Sequence, residues 1–221
     1  MLKPEVKVVT DMAGKGTFAE RYLTALVVDI EGFNRAARDD AIRLRLLAAL
    51  HDILFRALDA AGIPRAHCPI VDSTGDGWLV VVDETVSRVR LLNTIRTHLL
   101  WGLQAHNRLA SGQAELRVRV VLHAGEMLLT EGAVVGEQLN LAFRLLESDA
   151  LHRHLKATGA SMVLCISDHL YQQVVCQRHH GCDPADFSAM DVAVKETSTR
   201  GWVMCLGRRR EGVDQGGQHR M

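Results

Sequence analysis

The order of apolar and polar positions predicts strands alternating with long helices. A mostly apolar run predicts a buried strand over residues 22–29, and helical spacing of apolar residues predicts a helix over 40–61, ended by Gly62 and Pro64. Two short apolar runs, 68–73 and 78–82, flank the glycine-rich turn "STGDG". This pattern is typical of an antiparallel hairpin.

The second half of the chain continues the alternation. A long helix is predicted over 86–109, and then a strand, "LRVRVVL", in which apolar residues alternate with two arginines. Helical spacing resumes after Gly136. The segment "SMVLCISDHLYQQVV" predicts a strand, a Ser-Asp cap and a short helix, and "DVAVKETSTRGWVMCLG" predicts two strands around a polar turn.

This element order predicts an α+β fold with a ferredoxin-like βαββαβ core, in which helices flank a largely antiparallel sheet. One domain over residues 20–207 is expected. Residues 1–19 are predicted to be a partly flexible lead. Residues 208–221, polar and glycine-rich, are predicted to be a disordered tail.

Composition narrows the classes of function. The 221 residues carry 26 basic and 26 acidic side chains, so neither nucleic acid nor a membrane surface is an expected partner. No apolar run approaches the roughly 18 residues of a membrane span, and no secretory leader is visible at the N-terminus. Five irregularly spaced cysteines suit a reducing compartment, and "CQRHHGC" fits no common zinc spacing. A cytoplasmic location is therefore expected.

Two carboxylates are candidates for metal binding. The ferredoxin-like plan places the first strand beside the hairpin, so Asp29 at the strand end comes near Asp76 in the turn. Oxygen ligands of this kind suit Mg²⁺ together with substrate phosphates. Gly32, Gly75 and Gly77 would let a triphosphate approach the backbone. The alternative is that "TGDG" serves only as a good turn.

Two further side chains could bind phosphate and ribose. Asn140 and Arg144 lie four apart in a predicted helix and so project from one face. They could donate hydrogen bonds to a phosphoryl group and a ribose, or simply form a solvated stripe in which Arg144 pairs with Glu137 or Glu147. Lys195 could serve as a point charge for a terminal phosphate or as an ordinary surface residue.

Five segments in this order, "VVDIEGF", "STGDGWLVV", "RVRVVLHAGE", "VVGEQLNLAFRL" and "VAVKETS", resemble the class III nucleotidyl cyclase catalytic domain. The resemblance covers residues 21–207 and looks like the stand-alone bacterial type. It implies a phosphorus-oxygen lyase that converts a nucleoside triphosphate to a 3′,5′-cyclic nucleotide and pyrophosphate. A palm-type diguanylate cyclase is not favoured, because its hairpin signature of consecutive acidic residues is absent.

The resemblance implies a two-metal site. Asp29 and Asp76 match the two metal-binding aspartates of the family, and the carbonyl of Ile30 matches a further ligand of two Mg²⁺ or Mn²⁺ ions. Gly32 and Phe33 match a substrate-binding turn. Asp76 would then be in the hairpin turn because it shares the ions with Asp29.

The resemblance also implies a homodimer. Asn140 and Arg144 match the pair that orients the ribose and stabilises the transition state, and Lys195 matches the triphosphate-binding lysine. In this family, the metal carboxylates and the Asn/Arg pair that act on one nucleotide come from opposite subunits. A single-domain chain is therefore expected to form two equivalent sites across a homodimer.

The base-reading positions depart from the family pattern. Asp72 replaces the usual lysine of adenylyl cyclases, and Ala133 falls where a polar partner is usual. An adenine substrate is therefore disfavoured, while guanine is modestly favoured and pyrimidines stay open. Glu126 stands where some relatives carry a phosphate-binding arginine. These departures leave an alternative, an inactive pseudo-cyclase acting as a regulatory module that binds nucleotide or a protein.

Overall fold

The computed structural model describes residues 7–10, 17–179, 181–194 and 197–208. Nine strands within these residues form one mixed sheet: β1 Lys7–Thr10, β2 Thr17–Ile30, β3 Ile70–Ser73, β4 Gly77–Val82, β5 Val118–Thr130, β6 Ala133–Val135, β7 Ala160–Ser167, β8 Ser188–Val194 and β9 Thr197–Arg208. Seven of them follow the order β3-β4-β2-β5-β7-β9-β8, while β1 pairs with β2 and β6 pairs with β5. Only the β5–β7 pair is parallel among these.

The helices connect these strands: α1 Asp40–Ala60, α2 Arg88–Thr94, α3 Leu100–Leu109, α4 Glu137–Leu146, α5 Asp149–Thr158 and α6 Asp168–Leu170. A π-helical turn, Ile95–Leu99, joins α2 to α3, and another, Tyr171–Val175, extends α6. The elements β2, α1, β3, β4, α2–α3 and β5 form the core unit, with strand order β3-β4-β2-β5. The predicted ferredoxin-like α+β fold is confirmed.

Helices cover both faces of the sheet. One apolar cluster joins one side of the strands to α1, α2, α3 and the segment 168–175, while a second joins the other side to α4 and α5. Alternating residues of β2 are buried on opposite faces, Val28 in the first cluster and Val27 in the second. Any polar side chain in the middle of a strand therefore needs a partner inside the fold.

Several elements differ from the sequence prediction. Strand β2 begins at Thr17, five residues before the predicted start and inside the segment predicted as a lead, because it pairs with β1 and with the far end of β5. The helical stretch after Gly136 breaks at Ser148, whose side chain accepts a hydrogen bond from the Leu151 N–H and caps α5. The predicted tail lies outside the described residues from 209 onward.

Candidate active site

The turn before β4 is held against the end of β2. Asp29 lies opposite Gly77 in the antiparallel ladder, and the N–H of Ile30 donates to the backbone carbonyl of Asp76 over 3.0 Å. A Cβ atom at position 77 would lie 1.9 Å from the carbonyl oxygen of Val28. Only glycine permits this approach, and the approach brings the two aspartates to one end of the sheet.

Asp29 and Asp76 line the same cavity, which has a volume of about 250 Å³. Six further residues complete its wall: Thr74, Arg119, Phe143, Leu146, Glu147 and His152. The structure thus brings together the two carboxylates that the sequence predicted to converge. Their role as metal ligands stays a prediction.

Arg119 forms a buried ion pair with Asp29. The two residues face each other across β5 and β2, and their exposed fractions are 7% and 5%. Arg119 Nε donates to Asp29 Oδ1 over 2.8 Å, and its Nη2 donates to Oδ2, so the pair is bidentate. Burial raises the pKa of Asp29 to about 6, against the lowering effect of Arg119 and with a smaller raising effect of the Asp76 charge.

The sequence did not predict that Arg119, Glu147 and His152 line the cavity. The alternating pattern of β5 placed Arg119 on a polar face, but that face is covered by α4 and α5. Glu147 and His152 are brought to the cavity by the break between these two helices. Burial and the charge of Arg119 lower the pKa of His152. The burial of Arg119 follows from the packing of α4 and α5 on this face, which the local sequence pattern of β5 does not encode.

The donor set fits a hard divalent cation. Asp76 supplies carboxylate oxygens, and the side-chain oxygen of Thr74 in the same cavity is buried without a hydrogen-bond partner. Both carboxylate oxygens of Asp29 accept from Arg119 in this structure, so a metal ion would have to share them with Arg119 or displace it. Carboxylate, carbonyl and hydroxyl oxygens are the ligands that Mg²⁺ and Mn²⁺ prefer. Among the residues that the structure describes, no three His, Cys, Asp or Glu side chains are close enough together to hold one metal ion, so Glu147 in the same wall does not complete a third carboxylate ligand beside this pair.

Hydrogen bonds fix the backbone of the turn that follows β2. Gly32 adopts a φ of 65°, and the carbonyl of Ile30 accepts a hydrogen bond from the Phe33 N–H over 3.3 Å. The buried guanidinium of Arg38 donates to the carbonyls of Glu31 and Gly32 over 3.2 and 3.1 Å. These bonds hold the backbone of the predicted substrate-binding turn beside Asp29.

Asn140 and Arg144 share one face of α4, as predicted, but do not line the aspartate cavity of their own chain. Both contact Glu137: Asn140 Nδ2 donates over 3.4 Å and Arg144 Nη1 over 2.5 Å. The hydrogen bond from Arg144 lowers the pKa of the exposed Glu137 carboxyl. The predicted pairing of Arg144 with Glu137 is therefore present.

The remaining predicted residues are dispersed. Asp72 is exposed on β3 opposite Leu79, and Ala133 is exposed at the start of β6. Glu126 is exposed on β5. Lys195 lies outside the described residues, so its predicted contact with a triphosphate stays a prediction.

Comparison with solved structures identifies the fold. This chain is similar to the guanylyl cyclase Cya2, with a TM-score of 0.61, 19% identity, and coverage of 88% of this chain and 96% of that one. It is similar to an adenylate/guanylate cyclase/hydrolase from Silicibacter pomeroyi, with a TM-score of 0.62, 20% identity, and coverage of 85% of this chain and 98% of that one. It is also similar to the adenylyl cyclase CyaB from P. aeruginosa, with a TM-score of 0.58, 17% identity, and coverage of 88% of this chain and 99% of that one. At these identities the likeness shows the fold, which is that of a class III cyclase domain.

Sequence comparison matches only part of the chain. No protein-family profile matches the chain. The serine/threonine-protein kinase pkn2 of Myxococcus xanthus is 32% identical over 120 residues, which are 54% of this chain. The match covers 14% of that protein.

In the described part of the chain, no helix is both long and apolar enough to cross a membrane.

Proposed function

We propose that this protein is a nucleotidyl cyclase, which converts a nucleoside triphosphate to a 3′,5′-cyclic nucleotide and pyrophosphate. The observation that carries the proposal is the convergence of Asp29 and Asp76 in one cavity of a cyclase-type fold. Asp72 and Ala133 are the proposed base-reading residues. Because an acceptor and an apolar residue offer no donor to adenine N1, guanine is favoured over adenine, and pyrimidines stay possible.

Asp29, Asp76 and the carbonyl of Ile30 would hold two Mg²⁺ or Mn²⁺ ions. Bound ions would supply Lewis-acid activation of the ribose 3′-hydroxyl and neutralise charge on the triphosphate. The protein side chains orient the substrate. Asn140 would donate to the ribose and Arg144 to the α-phosphate, where their hydrogen bonds favour the transition state over the ground state.

A homodimer would complete the site. Asn140 and Arg144 are absent from the wall of the aspartate cavity, so a second chain would have to supply them. Apolar side chains in and just before α4 are incompletely buried: Val135 is 52% exposed on β6, Leu139 is partly buried, and Phe143, which also lines the aspartate cavity, is partly buried. Burial of this surface against a partner would place two equivalent sites at the interface.

A regulatory pseudo-cyclase is the second candidate. Arg119 already neutralises Asp29, Ala133 offers no polar group to a base, and exposed Glu126 would repel phosphate. A chain with these properties could bind a nucleotide or a protein without turnover.

Pyrophosphate release separates the two candidates. The full chain is incubated with Mn²⁺ and each of the four nucleoside triphosphates separately, and products are identified by mass spectrometry. A cyclase releases pyrophosphate with at least one of them and forms the matching cyclic nucleotide. An absence of product with all four, from chain that still binds nucleotide, would favour the pseudo-cyclase.

A further inference from the structure

Arg38 is a buried arginine whose side chain binds backbone carbonyls. It is 4% exposed. Its Nη1 donates to the carbonyls of Glu31 and Gly32 over 3.2 and 3.1 Å. Its Nε and Nη2 donate to the carbonyls of Gln113 and Glu115 over 3.0 and 2.8 Å. Four of the five N–H donors of the guanidinium are therefore bound to backbone.

These four carbonyls belong to two segments that are distant in the sequence. Glu31 and Gly32 lie in the turn after β2, whereas Gln113 and Glu115 lie in the connection between α3 and β5. One planar guanidinium thus ties the turn to a neighbouring connection. Lysine could not replace it in this role, because all the donors of lysine are on a single nitrogen atom.

The hydrogen bonds of this turn leave two backbone donors without an acceptor. The carbonyls of residues 30–32 all accept hydrogen bonds, from the Phe33 N–H and from Arg38. Within the described residues, the N–H groups of Gly32 and Asn34 have no acceptor. Gly32 has a φ of 65°, and the backbone N–H groups of such a turn can form a concave site for an anion.

The carboxylate beside this turn is already paired. Both side-chain oxygens of Glu31 accept from Arg35 Nη2, over 2.7 and 2.6 Å, and Arg117 Nη1 lies 3.9 Å from one of them. The Arg35 side chain lies against Gly32, since a Cβ atom there would overlap it. This pairing reduces the repulsion that the Glu31 carboxylate would exert on a phosphate group.

We propose that Arg38 is a positioning residue of the candidate active site. By holding the carbonyls of Glu31 and Gly32, it keeps the turn in the conformation in which the N–H groups of Gly32 and Asn34 bind the terminal phosphate of a nucleoside triphosphate. Arg38 itself is buried and does not touch the substrate. The inference rests on the proposed function, because it takes a triphosphate to be the ligand of this turn.

Binding of tripolyphosphate in the presence of Mg²⁺ tests the proposal without turnover. Calorimetry compares the original chain with Arg38→Lys, which keeps the positive charge but not the planar fork. Loss of a charged hydrogen bond would leave the turn in its binding conformation in roughly a tenth of the molecules, so the affinity is expected to fall about tenfold. Unchanged affinity in Arg38→Lys, or no binding by the original chain, would overturn the proposal.

Arg96→Lys is the matched control. Arg96 is another largely buried arginine that donates to a loop carbonyl, that of Gly181, so its replacement also releases a loop. Its affinity for tripolyphosphate is expected to equal that of the original chain. A general loss of stability would weaken binding in both variants alike, and an equal loss in the two would contradict a positioning role for Arg38.

The amide NMR signals of the original chain give a test that does not depend on the folding of a variant. The Gly32 and Asn34 N–H signals should shift when tripolyphosphate is added to chain already saturated with Mg²⁺, and unmoved signals would overturn the proposal. Failure of the proposed function has a different result. A chain that binds tripolyphosphate at this turn but releases no pyrophosphate from any nucleoside triphosphate would not be a cyclase, yet the role of Arg38 would stand.

Discussion

At the residue scale, the buried pair of Asp29 and Arg119 determines the electrostatics of the candidate site. Arg119→Leu would leave an unpaired carboxylate inside the fold, which typically costs about 3–5 kcal/mol of unfolding free energy. If Asp29 binds a metal ion, Mn²⁺ should recover more stability in the variant than in the original chain. Urea denaturation with and without Mn²⁺ measures both effects. Arg200→Leu, which breaks an exposed pair with Asp191, is the control.

Asp76→Asn tests the second carboxylate. The backbone bond from the Ile30 N–H to the carbonyl of residue 76 does not involve the side chain, so the turn should be retained. The turnover rate is expected to fall roughly 10²–10³-fold or more. This corresponds to the loss of several kcal/mol of transition-state stabilisation, as for a lost metal ligand. Initial rates of pyrophosphate release measure the loss. Activity near that of the original chain would remove Asp76 from the mechanism.

His123 makes stability depend on pH. Burial lowers the pKa of folded His123, mainly by desolvation, below the 6.5 of an exposed histidine. As pH falls through 6.5 the unfolded chain takes up a proton that the folded chain does not, so unfolding free energy declines by up to about 1.4 kcal/mol per pH unit. His123→Gln should lack this contribution. Urea titrations on either side of pH 6.5 compare the slopes, and parallel slopes would contradict the assignment.

At the element scale, the hairpin of β3 and β4 acts through the contact of its turn with β2. Gly77→Ala would drive a Cβ into the backbone of Val28 and is expected to cost about 3 kcal/mol, the upper end of ordinary overpacking. Gly112→Ala is the matched control, because a Cβ there meets nothing within 4 Å. Thermal unfolding of the two variants measures the difference. Equal melting temperatures would show that the turn can shift without cost.

The same hairpin shows what a sequence can and cannot predict. Its strands and turn follow from local pattern, and the ferredoxin-like order then places Asp76 beside Asp29. The closeness of the contact at Gly77 depends on the register between distant strands, which local pattern does not encode. Likewise the π-helical turn at Ile95–Leu99 and the break at Ser148 lie inside stretches of uniform helical periodicity. Arg119 was missed because the second covered face of the sheet is a tertiary property.

At the scale of the whole molecule, the proposed site is divided between two surfaces of one chain. Asp29 and Asp76 lie in a cavity between the sheet and α4, whereas Asn140 and Arg144 do not line that cavity and contact Glu137 of their own helix. A monomer with this arrangement presents two incomplete halves. A two-fold symmetric dimer would bring the aspartate pair of each chain next to Asn140 and Arg144 of the other chain, and one interface would form both sites.

Complementation between two inactive variants tests this claim most directly. Asp29→Ala and Arg144→Ala chains, each inactive as a homodimer, are mixed under conditions that exchange subunits, and pyrophosphate release is measured. Half of the dimers would then be mixed, each with one intact site of two, so about a quarter of the original activity should return. If both variants fold and exchange subunits, and the original chain is active, a mixture that stays inactive would contradict the shared site.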